Sequence, residues 1–318
     1  MSLAQLILDR YADLDDAGKL AWFSLLANDM DVPAEVAIAA IKAYQDAPSA
    51  KNYEAMTAAV EPARLQLIRR LNQTHDATAK LVAMREDLIR FLPENPNLGK
   101  LNVDFKHLFV SWFNRGFLVL RPINWSSPAH ILEKIITYES VHEIENWDDL
   151  RRRLQPEDRR CFAFFHPAMP DEPLIFVEVA LTKGTPNSIQ SVLLENRDAM
   201  AAEKADTAAF YSISNCQAGL AGISFGNSLI KTVVQHLLRE LPQIRNFVTL
   251  SPIPGLAKWL RETGNFDADA TAETHRQLAA HYLLNAKHHN GKPRDPVARF
   301  HLNNGALVGA VHANADKS

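Results

Sequence analysis

Three short stretches of this sequence place side chains or glycines at spacings that suit chemistry. The first is Gln217-Ala-Gly219-Leu-Ala-Gly222-Ile223-Ser224-Phe225-Gly226-Asn227, between a strand-like run and a long amphipathic one. Glycines there let backbone N–H groups approach a phosphate, and the N-terminus of a following helix adds a favourable dipole. Gly222, Ile223, Ser224, Phe225, Gly226 and Asn227 are therefore candidates to hold a pyrophosphate. A tight strand-to-helix turn that binds nothing explains the same residues. The second stretch is Leu250-Ser251-Pro252-Ile253-Pro254-Gly255. A serine at the end of a strand, followed by two prolines, is held rigid and exposed, whether as a reactive group or as a strand terminator. The third is Pro296-Val-Ala-Arg299-Phe300-His301-Leu302-Asn303-Asn304-Gly305. Strand alternation over Val297 to Leu302 predicts Phe300 and Leu302 on one face, with Arg299 and His301 on the other. The Asn-Asn-Gly that follows reads as a turn, where functional groups gather.

A competing chemistry has to be weighed. Gly222-Ile-Ser224-Phe-Gly226 has the form of a nucleophile elbow, and Asp267 or Asp269 and then His301 follow in the chain order of a serine hydrolase. That fold needs a large parallel sheet before the serine and a glycine-rich loop for the oxyanion. Here the first hundred residues read as helical and no such loop is found, so the hydrolase is disfavoured. His166 and the pair His288-His289 lack metal-ligand spacing. With no HExxH and no Cys/His quartet, no metal is expected.

The elements that must position these residues fall into two textures. Residues 1 to about 92 read as helices, with apolar repeats such as Leu6, Ile7, Tyr11 and Leu14, and Val60, Ala63, Leu65, Leu67, Ile68 and Leu71. Asp31-Val32-Pro33 and Asp46-Ala47-Pro48 punctuate them. After Pro93-Glu94-Asn95-Pro96 a helix is predicted over Phe105 to Phe113. Strands and helices then alternate: strands over Phe117 to Leu120, Cys161 to Phe165, Leu174 to Leu181, Ala208 to Ser214 and Asn246 to Leu250. Helices are predicted at 129 to 138, at Leu229 to Leu241 and near Leu278 to Lys287. The organisation expected is a helical bundle over 1–115 and a mixed α/β (α+β) domain over 116–318.

Composition bounds the function. The chain has 318 residues, 47% of them hydrophobic, and a net charge of −3, so it builds a sizeable core and lacks the basic face of a general nucleic-acid binder. The densest basic stretch, Arg151 to Arg153 with Arg159 and Arg160, is flanked by Asp148, Asp149, Glu157 and Asp158, which predicts a solvated, salt-bridged helix end. The two cysteines, Cys161 and Cys216, cannot build a disulfide framework and fit a reducing cytoplasm. No uninterrupted apolar run of membrane-spanning length occurs, so no membrane association is expected. The first residues turn acidic at once, unlike a secretory signal, and the tail ADKS is not a peroxisomal address.

Several blocks taken in order resemble one family, malonyl-CoA decarboxylase. They are SWFNRGFLVL (111–120), INWSSPAHILEKI (123–135), RRCFAFFHPAMPDEPLIFVEVALT (159–182), FYSIS (210–214), GNSLIK (226–231), LSPIPG (250–255) and DPVARFHLNNG (295–305). The resemblance implies an N-terminal helical domain that mediates homo-oligomer assembly and a catalytic domain with the acetyltransferase-like (GNAT-type) fold. It implies Ser251 and His301 as catalytic residues, and residues 222–227 as the turn that holds the CoA pyrophosphate. The substrate and product implied are malonyl-CoA and acetyl-CoA, with no cofactor beyond the CoA of the substrate. Some relatives carry a glutamate where Ser224 stands. Relatives also continue past the position of VHANADKS (311–318), through a segment that contributes a tyrosine to the site, and are longer between Trp259 and Leu278. Such a shortened chain leaves a CoA-ester-binding or assembly protein, or an acyltransferase, as alternative readings.

Overall fold

The computed structural model describes residues 2–223 and 229–316. Seven helices open the chain: α1 (Leu3–Ala12), α2 (Asp16–Asn28), α3 (Ala34–Asp46), α4 (Ala50–Val60), α5 (Ala63–Leu71), α6 (Ala77–Phe91) and α7 (Gly99–Trp112). Local chemistry sets their starts. Ser2, Asp15 and Ser49 accept hydrogen bonds from the N–H groups of Gln5, Gly18 and Asn52, and Pro33 and Pro62 stand immediately before α3 and α5. Pro62 also explains why the apolar run from Val60 to Leu71 is not one helix: Val60 ends α4 and α5 begins after the proline.

The chain forms two compact units. The helical unit contains α1 to α7 and also residues 166–172 and 217–223. Its core is built by Phe23 and Leu26 of α2, Leu81, Met84 and Leu88 of α6, and Leu101, Phe105 and Phe109 of α7, all fully buried. The 3₁₀ turn Ala218–Leu220 packs on α6 so closely that a Cβ on Gly219 would lie 2.0 Å from the carbonyl oxygen of Val82. Only glycine permits two backbones to approach in this way. His166 is structural here: its Nε2 lies 3.1 Å from the Trp112 carbonyl, its Nδ1 accepts from the Ala168 N–H, and its ring meets that of Phe113.

The second unit is built on a five-stranded sheet in the order β1 (Val119–Ile123), β2 (Arg159–His166), β3 (Met169–Thr182), β4 (Thr207–Asn215), β5 (Asn246–Thr249). β1 pairs antiparallel with β2, and β3 with β4, whereas β4 and β5 run parallel, with helix α11 (Leu229–Glu240) between them in sequence. A helical region followed by a mixed sheet is the fold class expected from the sequence. Helices α8 (Ala129–Tyr138) and α9 (Trp147–Leu154) cover one face, where Ile131, Leu132, Ile135, Leu150 and Leu154 meet Ala163, Phe165 and Phe176. On β2 the alternate residue Phe162 meets His236 of α11 instead, so both sheet faces are covered. The short helix α10 (Ile189–Leu193) precedes β4, and α12 (Leu256–Glu262), α13 (Ala272–Asn285) and α14 (Pro296–Asn303) follow β5.

Two expectations are corrected. Residues 297–302 are helix, not strand, because Asp295 caps and Pro296 opens the first turn of α14. The basic stretch is not a solvated helix end throughout. Arg153 and Arg159 are buried, Arg153 between Asp149, Glu178 and the carbonyls of His142 and Glu143, and Arg159 against Asp158 and the Val192 carbonyl. For Arg153 the buried partner Glu178 lies inside the sheet, and for Arg159 the Val192 carbonyl is 33 residues away, where charge patterning along one helix does not reach.

The close approach of Gly219 to α6 generates a stability prediction. Gly219→Ala lowers the unfolding free energy by about 3 kcal/mol, the upper range of overpacking against rigid backbone. Gly99→Ala, at the first residue of α7 with open space around it, is neutral or stabilising. Urea denaturation followed by circular dichroism separates the two.

Candidate active site

Ser251 and His301 come from segments that local structure holds firmly. β5 pairs with β4 from Asn246↔Thr207 to Thr249↔Phe210, and one further bond runs from the Leu250 N–H to the Phe210 carbonyl. The ladder then stops at Ser251, since Pro252 has no N–H to continue it. His301 lies in the last turn of α14, whose two ends are both fixed. At the start, Asp295 accepts from the N–H groups of Val297 (3.0 Å) and Ala298 (2.9 Å). At the end, Gly305 takes a φ of +86°, its N–H donates to Leu302, and the Ala306 N–H donates to the His301 carbonyl. This is the Schellman closure that glycine permits.

The same Asp295 carboxylate reaches the other segment, accepting the Gly255 N–H at 3.2 Å through its second oxygen. Gly255 has no room for a side chain, because a Cβ there would lie 2.1 Å from the Tyr282 hydroxyl oxygen. Asp295 and Tyr282 are buried, and the Trp259 ring packs on Tyr282 at 5.2 Å. A carboxylate shared between the start of α14 and the loop after Ser251 thus links the segments that carry the two candidate side chains. The result is a hydrogen bond of 3.1 Å between Ser251 Oγ and His301 Nε2. Ser251 is exposed and His301 half-buried. Burial holds the imidazole below the ordinary histidine range, so its neutral form dominates at physiological pH.

The pair has no third member among the described residues. Asp267 spends a side-chain oxygen on the Asp269 N–H and its carbonyl on His275, and neither aspartate bonds to His301. Among the described residues the aspartate–histidine contact of a hydrolase triad is therefore missing, and β4–β5 is parallel whereas β1–β2 and β3–β4 are antiparallel. What remains is a hydroxyl and a neutral imidazole side by side, suited to donating hydrogen bonds to an oxygen that gains charge.

Of the pyrophosphate turn, Gly222 and Ile223 are described, while Ser224, Phe225, Gly226 and Asn227 lie outside the described residues. Gly222 adopts a φ of +73°, and Ile223 is buried. Leu220, Ala221 and Ile223 spend their N–H groups on carbonyls within the turn, and the Gly222 N–H has no backbone acceptor among the described residues.

Residues not singled out from the sequence also matter. A cleft of about 800 Å³ in the second unit is lined by residues 136–137 and 139–145, with Ile189, Gln190, Leu193 and Asp316. Beneath it Ser212 on β4 donates to the Glu139 carboxylate, and His142 Nε2, Tyr211 Oη and Glu178 Oε1 are buried without a partner. Burial pushes the Glu178 carboxyl up to about 8 against the opposing pull of Arg153. Tyr211 is the extra residue where the β3–β4 register shifts between Glu178 and Val179, a bulge that periodicity cannot reveal. Asp295 had a sequence signal, an Asp-Pro dipeptide opening a helix that closes at Asn-Asn-Gly, which a strand reading of the same residues conceals.

With this geometry in view, comparison with known proteins is informative. Residues 116–274 and 263–318 match the family described as the malonyl-CoA decarboxylase C-terminal domain, and residues 32–113 match the malonyl-CoA decarboxylase N-terminal domain. The chain is 37% identical over 303 residues to the mitochondrial malonyl-CoA decarboxylase of Anser anser anser, covering 79% of this chain and 60% of that protein. It is 34% identical over 311 residues to the Rattus norvegicus counterpart, covering 82% and 63%. The chain therefore spans about three fifths of the length of the curated relatives it matches. Among solved structures it is similar to malonyl-CoA decarboxylase from Rhodopseudomonas palustris, with a TM-score of 0.88 and 51% identity over 95% of this chain and 80% of that one. The protein of the same name from Agrobacterium vitis gives a TM-score of 0.88 and 48% identity, over 94% and 79%.

The double duty of Asp295 yields a prediction. Asp295→Ala removes the cap of α14 and the tether on Gly255 together. We expect a loss of about 2 kcal/mol, the high end for a capping residue. Chemical denaturation followed by the fluorescence of Trp259 and its neighbours reads it, and an unchanged midpoint would mean that α14 is held by other contacts.

Proposed function

The chain belongs to the malonyl-CoA decarboxylase family, and we propose that it converts malonyl-CoA to acetyl-CoA and carbon dioxide, with Ser251 and His301 as its catalytic residues. The observation that carries this reading is the 3.1 Å bond between Ser251 Oγ and His301 Nε2, with the imidazole kept neutral by burial. In the reaction the bond between C2 and the malonyl carboxylate breaks and carbon dioxide leaves. The electron pair moves onto C2 and the thioester oxygen as an enolate. C2 then takes one proton, so malonyl-CoA and a proton give acetyl-CoA and carbon dioxide.

The barrier falls where donors meet the developing charge on the thioester oxygen. A neutral imidazole carrying its proton on Nε2 donates to Ser251 Oγ, which leaves the serine hydroxyl proton free for the substrate. A chain of two donors polarises along its length, so the terminal hydroxyl becomes a stronger donor. His301 is also the exchangeable group beside the enolate through which a proton from solvent reaches C2. The thioester carbonyl itself serves as the electron sink, and this is the argument for a reaction that needs no resident metal or redox cofactor. Residues 222–227 are assigned to the CoA diphosphate, with Gly222 supplying an uncommitted N–H.

The wider setting is proposed on separate observations. Exposed Val36, Ile38 and Ile41 on α3 support a homo-oligomer assembled through the helical unit. Cys161 and Cys216 are both buried, too few for a disulfide framework, which supports a cytoplasmic location. No helix among the described residues is long and apolar enough to cross a membrane.

The test is turnover of malonyl-CoA by the purified chain, with CoA esters followed by mass spectrometry. Acetyl-CoA accumulates with the parent protein, and Ser251→Ala and His301→Ala each slow it by about 10²–10³, the effect of losing one donor at a developing oxyanion. The pH profile carries the sign of the histidine shift. Because the His301 pKa lies below its ordinary value of 6.5, the neutral form persists as pH falls through 6.5. Activity should be lost only on the more acid side of that point. Malonyl-CoA left intact by the parent protein would end the decarboxylase assignment.

A further inference from the structure

The described residues include four buried arginines, Arg64, Arg85, Arg153 and Arg159. Three of them meet carboxylates: Arg64 pairs with Asp31 and Asp104, Arg153 with Asp149 and Glu178, and Arg159 with Asp158. Arg85, on α6, does not. Its guanidinium donates to three neutral oxygens, the Gly219 carbonyl at 2.5 Å, the Ala221 carbonyl at 2.8 Å and Asn102 Oδ1 at 3.0 Å. A buried cation whose hydrogen bonds are all satisfied by neutral groups keeps its full charge uncompensated, which is costly unless an anion arrives from elsewhere.

The geometry shows where an anion would come. A trans peptide points its C=O and its N–H in opposite directions. Arg85 draws the Ala221 carbonyl towards α6, so the N–H of the same peptide, that of Gly222, points away from α6. That N–H has no backbone acceptor among the described residues. Beside Gly222 stands a second cation. The Lys106 ammonium, reaching from α7, lies 3.4 Å from where a Cβ on Gly222 would be. Lys106 is half-buried and makes no ion pair or hydrogen bond among the described residues. An uncommitted N–H at a residue of positive φ, an unpaired ammonium beside it and an uncompensated guanidinium behind it form a nest for a phosphate.

We propose that Lys106 of the helical unit is a phosphate-binding residue for the CoA diphosphate, and that Arg85 is a positioning residue that turns the Gly222 N–H outward to meet the same group. The inference deepens the reading of residues 222–227 as the CoA turn and rests on it. Lys106 acts on binding and not on the chemical step, since the diphosphate is remote from the bond that breaks.

Isothermal titration of the full chain with CoA, dephospho-CoA and pantetheine tests this, using the parent protein, Lys106→Gln and Lys106→Arg. Lys106→Gln should weaken CoA and dephospho-CoA binding about tenfold, the scale of one charge-assisted contact, and leave pantetheine binding unchanged. Lys106→Arg should restore most of the loss. In malonyl-CoA turnover the Gln variant should raise KM by the same factor with kcat kept. Circular dichroism confirms that the variants fold. Equal CoA binding by the parent and Lys106→Gln would overturn the proposal while leaving the CoA site in place. A loss that extends to pantetheine, or that vanishes with dephospho-CoA, would overturn the assignment to the diphosphate. Failure of the parent protein to bind CoA would remove the reading of the turn itself, and this proposal with it.

Discussion

Asp295 is one carboxylate serving two segments forty residues apart. One oxygen closes the first turn of α14 and the other holds Gly255, four residues past Ser251. Because the group is buried, its lone pairs have no solvent to turn to, and both contacts are made within the protein. Around it the space is filled by Tyr282, whose hydroxyl leaves no room for a β-carbon on Gly255. The Ser251–His301 contact depends on this arrangement more than on either residue's own surroundings. Ser251 sits beyond the last strand bond and His301 at the far end of a short helix, so neither positions the other. Side chains held by buried polar support are fixed closely enough for their spacing to be a property of the fold.

The helical unit shows the opposite use of buried charge. Around Arg64 two acids balance one base, and the group is structural. Around Arg85 the partners are carbonyls of a glycine turn, so the charge organises backbone without being neutralised. The close contact of Gly219 with Val82 brings those carbonyls within reach. Backbone approach and side-chain charge thus act together at a turn whose glycines, taken alone, are as consistent with a plain chain reversal as with a binding site.

How far the site was legible from sequence differs by residue. Gly222 was singled out by its spacing between a strand and an amphipathic helix, and the structure adds its positive φ. The place of Ser251 at a strand's end was legible because two prolines after a strand leave little freedom in what precedes them. His301 was found, but in the wrong element: the strand alternation of Arg299 and His301 against Phe300 and Leu302 fits residues that the capping Asp295 and Pro296 make helical. Short segments of this kind satisfy both periods, and the decision rests on cap chemistry at their ends. Arg85 and Lys106 were not identified, since a lone arginine or lysine on an amphipathic helix reads as solvated surface, and the strand reading of 297–302 hid the cap role of Asp295.

By itself the sequence determined the two textures of the chain, the existence of most helices and strands, and, through blocks shared in order, the family. Those are properties of local propensity and of patterns along the chain, which every segment carries with it. Tertiary structure alone decided that residues 166–172 and 217–223 belong with the helical unit. It likewise decided that Arg153 and Arg159 are buried, that Tyr211 forms a bulge, and that Ser251 lies 3.1 Å from His301. Each of these depends on which distant groups become neighbours, and on whether a charge or a carbonyl then finds its partner in protein or in water. A pattern along one segment contains no information about either.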